Sequence, residues 1–418
     1  VAAASLGGCK DRADYTGPYA DIVADAIPRI EQQLNLTFKT PPVLQTRTRD
    51  EVAAFVSKQL TSERARRQIE GQQAAYRLLG LVPDTMDVGA LLQRLLEEQI
   101  VGYYDPATKV LYVVDGSPKA LLQQTVTHEL VHALQDQYVS IDSIQAETDN
   151  ADRQSSAQAV LEGQAVYTQL FADPNAGPVI RMPGGWDRIR DVIRDGQTGM
   201  PVFSTAPRAI REGLLFPYLG GADFVRRFVD QRPVAELLTD LPISSRQILN
   251  DDAYFTADKS ERVVPVPVTL PAPSTGTLVF SNTFGEFETR LILVQHLKDE
   301  VLARRAAGGI RGDQFAVVRI PQGDVMVWAS VWDTAVDAAD FLDVMADAAR
   351  KRYDLGRQTV APGATTRRLD IPAGKTHGAR TVLLAVEQLA GRPVVTYMDI
   401  PAGTSPKVID VSRLTIGQ

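Results

Sequence analysis

Apolar residues recur every three to four positions over much of this chain, the spacing that gives a helix one buried face. That pattern predicts helices over residues 19–36, over 49–81 in one or two pieces, and over 87–100. Another helix is expected from 119 to 139, a stretch without Gly or Pro in which Leu121, Leu122, Val126, Leu130, Val131 and Leu134 supply the apolar positions. Ser117 and Pro118 precede it as N-cap and first helical residue. Residues 142–154 are polar and read as a loop, after which Ala157, Val160, Leu161, Ala165, Tyr167 and Leu170 mark a further helix. Alternating runs predict a strand at 42–48 and a hairpin over 101–114, turning at Asp105-Pro106-Ala107-Thr108-Lys109. Residues 174–208 are rich in Gly, Pro and Arg and read as loops around one helix, with Trp186 a candidate to line a cleft.

The second half has a different texture. Four prolines alternate with valines in residues 263–276, which predicts an extended linker within 263–280. Helices at 284–307 and 335–353, strands at 315–320 and 325–331, and a hairpin over 381–398 then follow. The expected class is α+β. A mostly helical domain with a small sheet spans 18–262, and a smaller α+β domain spans 281–418. No internal repeat is evident.

The chain has four histidines, and two of them stand in His128-Glu129-Leu130-Val131-His132 on the predicted 119–139 helix. Four residues apart, both imidazoles project from one helix face and can reach a single cation, Zn2+ by ligand type. Glu129, beside the first, points toward the open side of that ion and can take a proton from an attacking water. Two histidines need a third protein ligand, and His296 and His377 lie far downstream in no recognisable spacing. Glu162 is the candidate, because a lone carboxylate amid the apolar positions of the next helix requires a partner. Arg153 is the competing partner for it, and Glu147 is the reserve ligand. Gly163, next to Glu162, would let this helix pack closely against the histidine-bearing one.

His-Glu-x-x-His on one helix followed by Glu-Gly-x-Ala on the next resembles the gluzincin metallopeptidases, the clan of thermolysin and aminopeptidase N. Residues 127–137, with 101–106 and 110–114, also resemble a little-characterised group of bacterial gluzincin-like proteins. The resemblance implies a zincin-like fold, zinc held by His128, His132 and Glu162, Glu129 as general base, and peptide or protein substrates. The hairpin at 101–114 would then border the cleft, where an extended peptide can add to its free edge. The family implies an oxyanion-stabilising Tyr or His from a later helix. Tyr167, Tyr218 and Tyr254 are candidates, Tyr218 being favoured as the opening of a downstream helical pattern. Residues 247–254 resemble a segment of the same bacterial group, in which His often stands where this chain has Asn250.

Two departures are visible. Thermolysin-like enzymes carry Asn before the ligand Glu and Asp four residues after it, where this chain has Leu161 and Val166. Asp136, one turn beyond His132, is a substitute for the missing carboxylate. The exopeptidase motif of aminopeptidase N is absent, so an endopeptidase is the default. A binding protein whose zincin core has lost efficient turnover is the alternative.

With 44 Lys plus Arg against 51 Asp plus Glu, the chain carries a net charge of −7, and no basic patch suited to nucleic acid stands out. The single cysteine, Cys9, closes Leu6-Gly7-Gly8-Cys9 after an apolar start. This resembles the bacterial lipoprotein processing box and implies residues 1–17 as signal end and tether, with a lipid anchor and an extracytoplasmic location.

Overall fold

The computed structural model describes residues 17–417 apart from 174, 357–360, 362 and 375–376, so Cys9 lies outside the described residues. The chain opens with α1 (Ala20–Leu34), β1 (Val43–Arg47), α2 (Arg49–Thr61), α3 (Glu63–Leu78) and α4 (Val88–Gln99). Residues 49–81 form two helices because the Ser62 side chain accepts from Ala65 N–H and starts a second one. The hairpin β2 (Gly102–Asp105) and β3 (Val110–Val114) follows, turning through Lys109 at φ 59°. β1 joins β3 in parallel and β2 joins it antiparallel, giving the order β1-β3-β2 with β2 at an edge.

Against this sheet lies α5 (Lys119–Gln135), with Pro118 as its N-cap rather than its first residue. Val126, Leu130 and Val131 of α5 are buried with Ile30 and Leu34 of α1 and Leu111 and Val113 of β3. The stretch expected as a loop instead holds α6 (Ile141–Ala146), capped by Ser140. Then comes α7 (Ala151–Ala172), longer than its apolar pattern because Asn150 caps it early, accepting from Arg153 N–H.

Residues 174–208 are more helical than expected. They contain α8 (Ala176–Ile180), α9 (Gly185–Thr198), α10 (Pro201–Thr205) and the start of α11 (Arg208–Leu215). Their glycines and prolines punctuate helices instead of replacing them, Gly184 sitting at φ 68° before α9 and Pro201 opening α10. Trp186 is buried with Val166, Ile180 and Ala222, so it packs the core and does not line a cleft. A π-helical turn (Phe216–Gly220) joins α11 to α12 (Gly221–Gln231), followed by the short α13 (Ser245–Leu249) and α14 (Asp251–Tyr254).

The remainder comprises β4 (Val268–Thr269), β5 (Thr277–Asn282), α15 (Gly285–Leu297), α16 (Glu300–Ala307), β6 (Ile310–Ile320), β7 (Gly323–Trp332), α17 (Ala335–Arg352), β8 (Thr366–Ile371), β9 (Arg380–Leu389), β10 (Arg392–Pro401) and β11 (Thr415–Ile416). Six of these strands form an antiparallel sheet in the order β5-β6-β7-β10-β9-β8. One sheet face buries Trp328 and Phe315 against Phe341 and Leu342 of α17 and Ile292 of α15. That core runs on without interruption into Ala75 of α3, its C-cap Leu79, and Leu91 and Leu95 of α4.

The valine-proline stretch straps the sheet's other face. Val266 and Val268 are buried there with Ala329, Val331 and Leu414, β4 pairs with β11, and β5 begins at Thr277. The class is α+β. The two halves also share helix caps. Asn282 and Thr283 accept from Ala151 and Asp152 N–H at the start of α7, while Arg352 donates to Arg77 O at the end of α3. No described helix is long and apolar enough to cross a membrane.

Candidate metal centre

The 3.6-residue period of α5 does what the spacing predicts, stacking His128 and His132 with Nε2 atoms 3.2 Å apart. α7 crosses beneath and brings Glu162 Oε2 to 3.2 Å from His128 Nε2 and 3.3 Å from His132 Nε2. Among the described residues this is the one group of three or more His, Cys, Asp or Glu side chains whose ligand atoms converge. Arg153 pairs with Glu147 at 3.4 Å, so neither belongs to the group.

The far nitrogen of each ring faces an amide. His128 Nδ1 lies 3.2 Å from Gln169 Oε1, and His132 Nδ1 lies 2.9 Å from Gln135 Oε1. An amide oxygen only accepts, so each Nδ1 carries a proton and each Nε2 is free to turn a lone pair inward. Two inward lone pairs and a carboxylate at such separations require a cation among them, whether a proton or a metal ion. Burial disfavours charge on His132, yet Glu162 outweighs it and lifts the imidazole to about 9. Burial likewise opposes charge on Glu162, and the two imidazoles nonetheless hold it well below the ordinary carboxylate range. The donor set thus fits a divalent ion bound by nitrogen and oxygen.

Gln169 stands seven residues beyond Glu162, two helical turns along the same face. Val166, where a carboxylate stands in thermolysin-like sequences, is buried against Ile180 and Trp186. Asp136 does not substitute for it. Its carboxylate accepts from Tyr104 OH (2.8 Å), Lys109 Nζ (2.6 Å) and Ile141 N–H (3.3 Å), tying the hairpin to the end of α5. The hairpin explains the difference, because its strand and its turn each deliver a donor to a position that helix spacing alone aligns with His132.

Glu129 is buried and its Oε2 accepts from the backbone N–H of Tyr104 on β2 at 2.8 Å. β2 lies close over α5 at this point. A side chain at Gly102 would come within 2.8 Å of Thr125 Cγ2.

Tyr218 lies in the π-helical turn, its ring 6.1 Å from that of His128 and inclined by 27°. It remains 39% exposed, and the nearby Glu162 carboxylate pushes its phenol up. Gly163 places it there, by packing on α12 rather than on the histidine-bearing helix. A Cβ at Gly163 would sit 2.1 Å from the Gly221 carbonyl carbon.

The other candidates are occupied elsewhere. Tyr167 stacks on Phe171, and Tyr254 is fully buried and donates to Asp240 O. Asn250 donates to Glu286 Oε2 at 3.0 Å. His296 contacts Leu79 O at 2.8 Å, and burial lowers it to about 4. His377 is a neighbour of Tyr353.

A family model described as a domain of unknown function, DUF8575, matches residues 276–397, which exclude the centre. No curated protein and no solved structure matches the chain.

Proposed function

We propose that this protein is a zinc-dependent metallopeptidase of the gluzincin type, with an endopeptidase activity. The observation that carries the reading is the triangle of donor atoms. Ligands about 2.0–2.1 Å from a tetrahedral ion lie about 3.3–3.4 Å from one another. Here the three separations are 3.2, 3.2 and 3.3 Å. His128, His132 and Glu162 would hold the zinc, whose chemistry when bound is to polarise a carbonyl and acidify water.

Glu129 accepts the proton of the attacking water and returns it to the departing amine as the C–N bond breaks. The Tyr104 N–H fixes one oxygen of that carboxylate, leaving the other for the water. Tyr218, carried beside the His128 ring, serves as donor to the developing oxyanion. The free edge of β2 supports an extended peptide.

Zinc-loaded Glu129→Gln is expected to keep its metal and lose cleavage of a casein-type substrate by three or more orders of magnitude. Retained cleavage in that variant removes the reading of Glu129 as base. The alternative, a binding protein with weak or no turnover on the same scaffold, draws on the neutral amides that support both imidazoles where a carboxylate is usual. Zinc-loaded wild type against a mixed peptide library, with a chelator control, separates the two. Chelator-sensitive cleavage supports the enzyme, and zinc retention without cleavage supports the binding protein.

A further inference from the structure

Tyr104 touches both the proposed base and the end of the histidine-bearing helix. Its N–H, on the free edge of β2, donates to Glu129 Oε2 at 2.8 Å, and its phenol donates to Asp136 Oδ2 at 2.8 Å. Asp136, the C-cap of α5, is seven residues beyond Glu129, so the tyrosine spans two turns, about 10 Å of helix. The Asp136 side chain is only 1% exposed and is also held by Lys109, which reaches across from the turn of the same hairpin. A buried carboxylate with two such donors is a rigid anchor. Burial and Asp136 keep the phenol protonated, so it remains a donor throughout the working pH range.

We infer that Tyr104 and Asp136 form a positioning pair for the hydrolysis proposed above, locking the β2 edge over α5 so that its N–H aims the Glu129 carboxylate. This role rests on the peptidase reading and adds to it. The pair touches none of the three ligand atoms. Its loss therefore shows in kcat and not in metal content. Peptide binding along the rest of the edge is unchanged, so KM stays put.

The test is a double-mutant cycle on full-length, zinc-loaded protein, using the best-cleaved peptide of a mixed library. Tyr104→Phe removes only the hydroxyl, and Asp136→Ala removes its acceptor. Each is expected to lower kcat about tenfold or more, with KM within about twofold and zinc retained in a chelator competition. The double variant should lose little more than either single one. Exchange of the Tyr104 amide, and not of the amides paired to β3, should quicken in all three. Unchanged kcat in Tyr104→Phe with an active wild type overturns this role alone. So do losses that multiply in the double variant, or that follow KM or zinc content. A zinc-loaded wild type with no turnover overturns the peptidase reading and this role together.

Discussion

Two glutamines finish the histidines, and their neutrality has a measurable cost. A neutral acceptor on Nδ1 makes an imidazole a weaker ligand than a carboxylate does. Gln169→Glu is expected to tighten zinc binding by about tenfold, and Gln169→Leu to weaken it by about ten- to a hundredfold, in competition against a fluorescent chelator. Equal affinities in all three proteins would show that the Nδ1 partner is immaterial. The meeting of the two histidines was legible in the sequence because i, i+4 spacing is a local property of the helix. Glu162 was legible because a solitary charge in an apolar pattern asks for a partner. Gln169 was not, since an amide two turns away looks like any polar helix position. Asp136 misled for the complementary reason: the sequence gives its place on α5 but not the Tyr104 and Lys109 donors that reach it.

Helix against helix, the contact that matters most is the meeting of Gly163 and Gly221. Gly221 has no more room than its partner, for a Cβ there would fall 1.9 Å from Ala159 O. Such an approach fixes α7, which carries Glu162, against the turn that carries Tyr218. Gly163→Ala puts a methyl into backbone and is expected to cost about 1–3 kcal/mol, read as a lowered melting temperature. An unchanged melting temperature would mean that the two helices separate freely. The sequence announced that Gly163 serves a close approach, yet nothing in one chain segment names the helix that comes near. Residues 174–208 taught a similar lesson, because Gly184 and Pro201 mark helix starts as readily as loops.

Across the whole molecule, the seam between the halves is lined with acids that are buried or half-buried. Glu288 on α15 accepts from Tyr76 OH of α3 at 2.7 Å and from Gln72 at 3.4 Å. Burial, with Asp313 of β6 and Asp152 of α7 nearby, lifts it to about 8, while burial lifts Asp152 to about 7 and Asp313 to about 6. These carboxyls are protonated more readily when folded than when unfolded. Their stabilising share is complete below about pH 4 and drains away as the pH climbs through about 6 to 8. Glu288→Gln, which retains an acceptor for Tyr76, should therefore melt a few degrees above wild type at pH 9 and not at pH 5. A constant difference at both pH values would rule this out. The α+β class came through from periodicity. The strap did not, because Val266 and Val268 acquire their meaning only from a sheet assembled much later in the chain.

The borrowed cap on α7 ties these scales together. Asn282 and Thr283 grip the first turn of a rod whose twelfth residue is Glu162, roughly 16 Å further along. A tilt of a few degrees at that grip swings the carboxylate by about an ångström, comparable to half a metal–ligand bond. The region matched by the domain of unknown function thus holds the handle of a lever whose tip is the proposed third ligand, although none of its described residues joins the converging group.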